Sequence, residues 1–429
     1  MILEIDNLGM NFEGVARKEG KVYFVPYALT KETVKADIKK DDSKFSICEL
    51  KEIITPSSKR IQPMCPYFSV CGGCDIQHLN YNDQLNFKKK HIEETIKKIA
   101  NIDVLVNNVE PSNLSYFYRN KGAFPVGEAI GMFKANSHTI LPINQCFLMN
   151  DNITKTFKIT KQFLADYNIK GYDFKNFKGI VKFLVVRSLN DQTIVCLVAT
   201  KKIENINELF NRLSNEIENV GLFICYNNQR NQTILSHNFE HIAGIKEISL
   251  NEFDLKYSVG IDSFLQVNNE IKNKIYNKIL AEVDNSITLD AYAGAGLLSA
   301  IMAKTAKKVY SVEIVEEASK SAQKLKNDNN IANMEVINGD CAKVIPELKQ
   351  NLGKDFIAVL DPARVGCDEK VLEVVRSAKK ILYLSCNPIS LSKDLKKLSE
   401  THHIKYVQPY DMFPQTKHVE TLVCLEKIK

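Results

Sequence analysis

Late in the sequence, two side chains have the types and placing that nucleophilic chemistry needs. Cys386 follows the apolar run Ile381-Leu382-Tyr383-Leu384-Ser385 and precedes Asn387-Pro388. A thiol at a strand's carboxyl end sits at the edge where α/β sheets bind ligands, so it is placed to attack one. Glu420, in Lys417-His418-Val419-Glu420, stands just before the last apolar run, Thr421 to Leu425, and could act as a base. A further acid, Asp361, opens Asp361-Pro362-Ala363-Arg364-Val365-Gly366 after the run Phe356 to Leu360. Taken singly, each has a plain reading: a small buried thiol, a solvated carboxylate, and in His418 a surface residue. Their arrival together at successive strand ends favours a reaction centre.

A second group suits a bound nucleoside. Asp290-Ala291-Tyr292-Ala293-Gly294-Ala295-Gly296 follows one apolar run and leads into another, Leu297 to Ala303. Glycines at such a strand–helix turn let a ligand approach the backbone. A dinucleotide fingerprint wants a third glycine, and Ser299 stands there instead. Glu313 lies 23 residues after Asp290, near the usual ~20 for a carboxylate on ribose hydroxyls. Asp340 ends the next strand. Asp-x-x-x-Gly-x-Gly with these acids resembles the S-adenosylmethionine site of methyltransferases, whose ligand has no phosphate for a third glycine to meet.

The third group is Cys65-Pro66-Tyr67-Phe68-Ser69-Val70-Cys71-Gly72-Gly73-Cys74. Three cysteines this close suit a soft metal. Zinc and an iron–sulfur cluster both accept four thiolates, and the spacing does not separate them. On chemistry alone Cys146, Cys196 and Cys225 are equal candidates for the fourth ligand.

These residues need elements to carry them. In the last 160 residues strand and helix runs alternate, with strands at Ile287–Asp290, Val309–Glu313, Glu335–Asn338, Phe356–Leu360 and Ile381–Ser385. That alternation predicts an α/β fold: a doubly wound, mostly parallel, Rossmann-like sheet over residues 263–429. Residues 59–262 mix strands and helices, predicting an α+β domain that contains the cysteines. Leu85, Ile92, Ile96 and Ile99 recur at helical spacing within 82–100, and this helix is expected to pack on the carboxyl-terminal domain. Lys88-Lys89-Lys90 on its flank reads as a solvated face or as phosphate contacts. Residues 1–58 hold short β-rich runs such as Val22–Val25 and Val34–Ile38, predicting a small barrel.

The chain has 429 residues, 45% hydrophobic and 25% charged, which excludes disorder and disulfide miniproteins. A net charge of +6 is compatible with a polyanionic partner. No apolar run of 18 residues appears, and Met1 to Asp6 carries acid where a leader needs base, so a cytoplasmic protein without a membrane span is expected. Eleven cysteines in a reducing compartment read as thiols, ligands or catalysts.

Asp361-Pro362-x-Arg364-x-Gly366, Ser385-Cys386-Asn387-Pro388 and His418-Val419-Glu420-Thr421 resemble, in order and spacing, motifs of the RNA 5-methyluridine methyltransferases. Phe264-Leu265-Gln266-Val267-Asn268 and Tyr118-Arg119-Asn120-Lys121 match two further motifs of that family. Ala363, for a usual proline, and Ala293, for a frequent cysteine, depart from it at positions whose side chains the chemistry does not use. The resemblance implies Cys386 as nucleophile, Glu420 as base, and cofactor contacts from Gln266, Tyr292, Gly294, Glu313 and Asp361, with Asp340 near the adenine. The cysteine spacing is similar to that of the ribosomal branch, which implies a [4Fe-4S] cluster on Cys65, Cys71, Cys74 and Cys146. Gly14 to Arg17 and Gly20 to Pro26 resemble the RNA-binding TRAM barrel. The implied substrate is a flipped-out uridine of 23S ribosomal RNA, methylated by a monomer. The alternatives are a transfer-RNA enzyme and a non-catalytic RNA-binding protein or chaperone.

Overall fold

The computed structural model describes residues 1–231 and 233–428. Its carboxyl-terminal sheet has seven strands in the order Met334–Asn338, Lys308–Glu313, Ile287–Ala291, Ile357–Leu360, Lys380–Ser385, Glu420–Lys427 and His402–Tyr410. The first five are parallel and the last two pair antiparallel. The Val-, Ile- and Leu-rich runs of the four inner parallel strands are buried on both faces, as a parallel sheet covered by helices requires. Strand order reverses between Ile287–Ala291 and Ile357–Leu360, so the ligand crevice falls at their carboxyl ends.

The central sheet has five strands, in the order Phe239–Gly244, Asn219–Tyr226, Gln192–Ala199, Val181–Leu189 and Lys121–Pro125. Helices Asp151–Asp166 and Ile206–Glu216 cover one face with Phe157, Phe163, Leu209 and Leu213. The other face shares a core with the carboxyl-terminal sheet's helices, through Val185, Cys196 and Val198 against Ile271, Ile275 and Ile301. The amino-terminal sheet has six strands. Its edge members, Ile2–Glu4 and Asn7–Leu8, are successive pieces of one stretch, which brings the two edges of the sheet together.

The helix Tyr81–Ala100 starts where the Asn80 side chain accepts the Asp83 N–H and ends at Asn101, which takes a left-handed conformation. Ile92, Ile96 and Ala100 pack with Leu391, Leu395 and Leu398 of the helix Pro388–Leu398. Gln84 and Lys88 continue the same buried stripe, one turn apart. Lys88 therefore corrects the reading of its charge run. It is fully buried and paired with buried Asp411 at 2.6 Å, neither solvated nor free for phosphate. Among the described residues no helix is long and apolar enough to cross a membrane.

Candidate active site

Strand register builds the reaction centre. Ser385 pairs with Thr421 across antiparallel strands. The residue after the first and the residue before the second, Cys386 and Glu420, are thus brought to the same strand edge. Asp361 follows the neighbouring strand, whose Leu360 pairs with Tyr383. Glu420 is only 2% exposed, and burial together with nearby Asp361 drives its carboxyl well above the carboxylate range. Burial raises Asp361 as well. The two acids share one low-dielectric corner in which ionising both is costly.

Burial also pushes the Cys386 thiol up, and Glu420 pushes it further, while the positive charge of nearby Arg364 pulls it down. Arg364 is a residue that sequence reasoning quoted in a motif without giving it a role. Its backbone oxygen accepts the Asn387 amide at 2.8 Å, and its Nη2 donates to Nδ1 of His418 at 3.1 Å. Burial and Arg364 lower His418 to about 4, which keeps its ring neutral. Asn387 also caps the helix Pro388–Leu398 by accepting the Ile389 N–H. Cys386 thus lies at a helix amino terminus, a setting that favours thiolate.

The glycine loop lies two strands away. Tyr292, Gly294 and Gly296 have φ of +65°, +56° and +76°. A Cβ on Gly296 would stand 2.6 Å from Ala322, so close packing demands glycine there. A Cβ on Gly294 would meet nothing within 4 Å: that position faces open space beside the crevice, as a cofactor cradle should. Glu313 accepts the Gly294 N–H at 2.9 Å and the Val315 N–H at 2.8 Å, which fixes its carboxylate at the strand end. Ser299, in place of a third glycine, donates to Asp290 and bonds Ser311. Burial raises Asp290 to about 7, so this acid braces the loop from within. The Tyr292 hydroxyl accepts the Asp368 N–H at 3.3 Å. Asp340 caps the helix Cys341–Leu352, accepting the Ala342 N–H.

The segment that carries Gln266 is buttressed. Asn120 donates its amide to the Gln266 carbonyl at 2.9 Å and its N–H to the Val267 carbonyl at 3.0 Å. Tyr118 donates to the Pro414 carbonyl at 3.1 Å. The Tyr118–Lys121 motif therefore serves as a brace between the cofactor segment and the loop before Glu420.

The structure brings Cys65, Cys71, Cys74 and Cys146 into one group. Burial raises all four thiols, and each of Cys74 and Cys146 is raised further by its neighbours in the group. Cys196 and Cys225 lie elsewhere, in contact with each other on the central sheet. Among the described residues, no three of His, Cys, Asp or Glu stand in ion-holding geometry, so the expected metal centre is not formed as such. What is present is four cysteines in one neighbourhood, each with its thiol raised by burial.

Comparison with known proteins supplies the remaining findings. Residues 80–428 match the family tRNA (uracil-5-)-methyltransferase. An uncharacterized RNA methyltransferase of Clostridium tetani is 34% identical over 438 residues, covering 99% of this chain and 95% of that protein. One from Clostridium acetobutylicum is 34% identical over 442 residues, covering 99% and 96%. The Pyrococcus abyssi tRNA (uracil-54, C5)-methyltransferase, solved with S-adenosyl-L-homocysteine, shares the fold. Its TM-score is 0.81 at 23% identity, and the match covers 99% of this chain and 100% of that one.

Proposed function

The chain belongs to the tRNA (uracil-5-)-methyltransferase family, S-adenosylmethionine-dependent enzymes acting on uracil carbon 5 in RNA, and from that premise we propose that it methylates a uridine of 23S ribosomal RNA through a covalent bond to Cys386. The observation that carries the mechanism is the register that brings Cys386 and Glu420 to one strand edge, with the charge of Arg364 nearby favouring the thiolate.

Carbon 5 of uracil is too weakly nucleophilic to attack a methyl group unaided. The Cys386 thiolate adds to carbon 6, and the electron pair of the 5,6 double bond moves into an enolate. When bound, S-adenosylmethionine would supply an electrophilic methyl group to carbon 5 and leave as the neutral thioether S-adenosylhomocysteine. Glu420 removes the proton from carbon 5; the C–H pair restores the double bond, and Cys386 departs as thiolate. A carboxylate of raised pKa is the stronger base for that step. Arg364 steadies the thiolate on arrival and departure. Gln266, Tyr292, Gly294, Glu313 and Asp361 would hold the cofactor, Glu313 on the ribose hydroxyls. The capping bond of Asp340 makes it a weaker candidate, near the adenine. The base must leave its stack to be reached, at a cost of about a few kcal/mol.

RNA recognition falls to the amino-terminal sheet, read as a TRAM barrel over 1–58 and followed by divisions at 59–262 and 263–429. Phe264, 73% exposed next to Gln266, offers a stacking face. Cys65, Cys71, Cys74 and Cys146 would hold a [4Fe-4S] cluster, zinc being the other metal such donors accept. Buried neutral thiols become ligands only as a cation displaces their protons. Brown protein from oxygen-free purification, bleached by Cys146→Ser, is the expected result; colourless, zinc-loaded protein would contradict it.

A transfer-RNA uridine is the second reading. The Pyrococcus abyssi enzyme, named for that activity, spans the whole of this chain, so an amino-terminal sheet alone does not separate the substrates. Nucleoside mass spectrometry of ribosomal and transfer RNA, from cells with and without the protein, decides. Loss of one methyl from 23S RNA is expected; loss from transfer RNA alone would overturn the ribosomal assignment, and no loss anywhere would favour an RNA-binding protein without turnover.

A further inference from the structure

The loop Asp411–Val419 joins two antiparallel strands and delivers Glu420 as the first residue of the second. Its own bonds are few and short in range, such as Thr416 N–H to the Phe413 carbonyl. Most of its long-range bonds run to residues about 300 or more positions earlier. Gln84 donates to Oε1 of Gln415 at 3.0 Å and accepts the Gln415 N–H at 3.3 Å. The Gln415 carbonyl accepts the N–H groups of Asp75 and Ile76 at 3.1 and 3.2 Å. Asp75 accepts the Lys417 N–H at 3.1 Å. Lys88 holds Asp411 and donates to the Phe413 carbonyl at 3.2 Å.

Gln415 itself has φ +69° and is 2% exposed. A residue with a side chain seldom holds that conformation unless its surroundings impose it. The buried amide of Gln84 has no slack, for its nitrogen also donates to the carbonyls of Ile76 and Leu79. One side chain therefore ties together the end of the cysteine segment, the start of the helix Tyr81–Ala100 and the loop that leads to the base.

We propose that Gln84 and Asp75 are positioning residues for the last step of the reaction, proton removal from carbon 5: they lock the loop Asp411–Lys417 so that Glu420 faces the covalent adduct. Cys386 lies on a different strand end, where the Asn387 amide donates to the Arg364 carbonyl; the Arg364–His418 bond meets the loop beyond Lys417, outside the locked segment, so the attack on carbon 6 does not depend on this lock. The cysteine segment, through Asp75 next to Cys74, thereby enters catalysis by geometry and not by electron transfer. This rests on Cys386 as nucleophile and Glu420 as base.

The test separates the two halves of the reaction in the variants Gln84→Met, which keeps volume and loses the amide, and Asp75→Ala. The RNA is whichever one nucleoside mapping identifies, transcribed with uridine or with 5-fluorouridine. With 5-fluorouridine, where no proton can leave, denaturation-resistant enzyme–RNA adduct should form within about twofold of the wild-type rate, while turnover on uridine RNA falls about 10- to 100-fold, the scale of a small misplacement. On ordinary uridine RNA the variant should accumulate a covalent complex that already carries the transferred methyl group. Unchanged turnover, or adduct formation and turnover falling in parallel, would overturn the proposal. Should Gln84→Met fail to fold, Asp75→Ala is read by the same criteria. Wild-type enzyme that forms no 5-fluorouridine adduct would refute the covalent mechanism itself, an outcome distinct from failure of the lock.

Discussion

Glu420 and Cys386 make opposite demands on one pocket. In the proposed mechanism the base gains from being starved of water and pressed by Asp361, and the same surroundings oppose the thiolate proposed beside it. Arg364 reconciles the two, since its charge favours the thiolate while its side chain also bonds neutral His418. The cost falls on stability and has a definite sign. The folded state holds the Glu420 proton to higher pH than the unfolded chain does. Between the ordinary glutamate pKa, about 4.3, and the raised folded value, the native state binds the extra proton, so its contribution is complete at low pH and lost as pH rises. Glu420→Gln should therefore match wild type in thermal unfolding near pH 4 and exceed it increasingly toward pH 8, while turnover falls about 10²- to 10⁴-fold. A gain that is flat with pH would show Glu420 to be an ordinary carboxylate. Of these residues, Cys386, Glu420 and Asp361 were legible in sequence because each borders an apolar strand run, Cys386 and Asp361 at its end and Glu420 at its start. The Arg364–His418 contact was not, since it joins two loops whose approach only the tertiary fold decides.

At the scale of elements, the parallel sheet declared itself through apolar runs and glycine turns, and the structure has its five strands within a residue or so of the expected bounds. The helix Tyr81–Ala100 was legible as a helix, yet its lysines misled. Periodicity in Leu85, Ile92 and Ile96 suggested one stripe, whereas the buried face runs Gln84, Lys88, Ile92, Ile96, Ala100. A polar residue enters such a stripe only when a partner awaits it, and Asp411 lies 323 positions away. Lys88→Met should cost about 3–5 kcal/mol in chemical unfolding, because it strands a buried carboxylate, and Asp411→Leu added to it should restore much of the loss. A single-variant cost below about 1 kcal/mol would place the pair in solvent.

Across the whole molecule, the end of the cysteine segment, the helix Tyr81–Ala100 and Tyr118 meet on the Asp411–Val419 loop. The chain order conceals this, since the cysteine segment and the base stand at opposite ends of the sequence. The convergence of Cys146 with Cys65, Cys71 and Cys74, to the exclusion of Cys196 and Cys225, was equally beyond spacing, because equal chemistry is separated only by place. All of it serves one bond. The most direct measurement is peptide mass spectrometry of the complex trapped on 5-fluorouridine-substituted target RNA in the presence of S-adenosylmethionine. The account predicts a methylated fluoropyrimidine attached to Cys386 and to no other cysteine; methylation proceeding at wild-type speed in Cys386→Ala would contradict it.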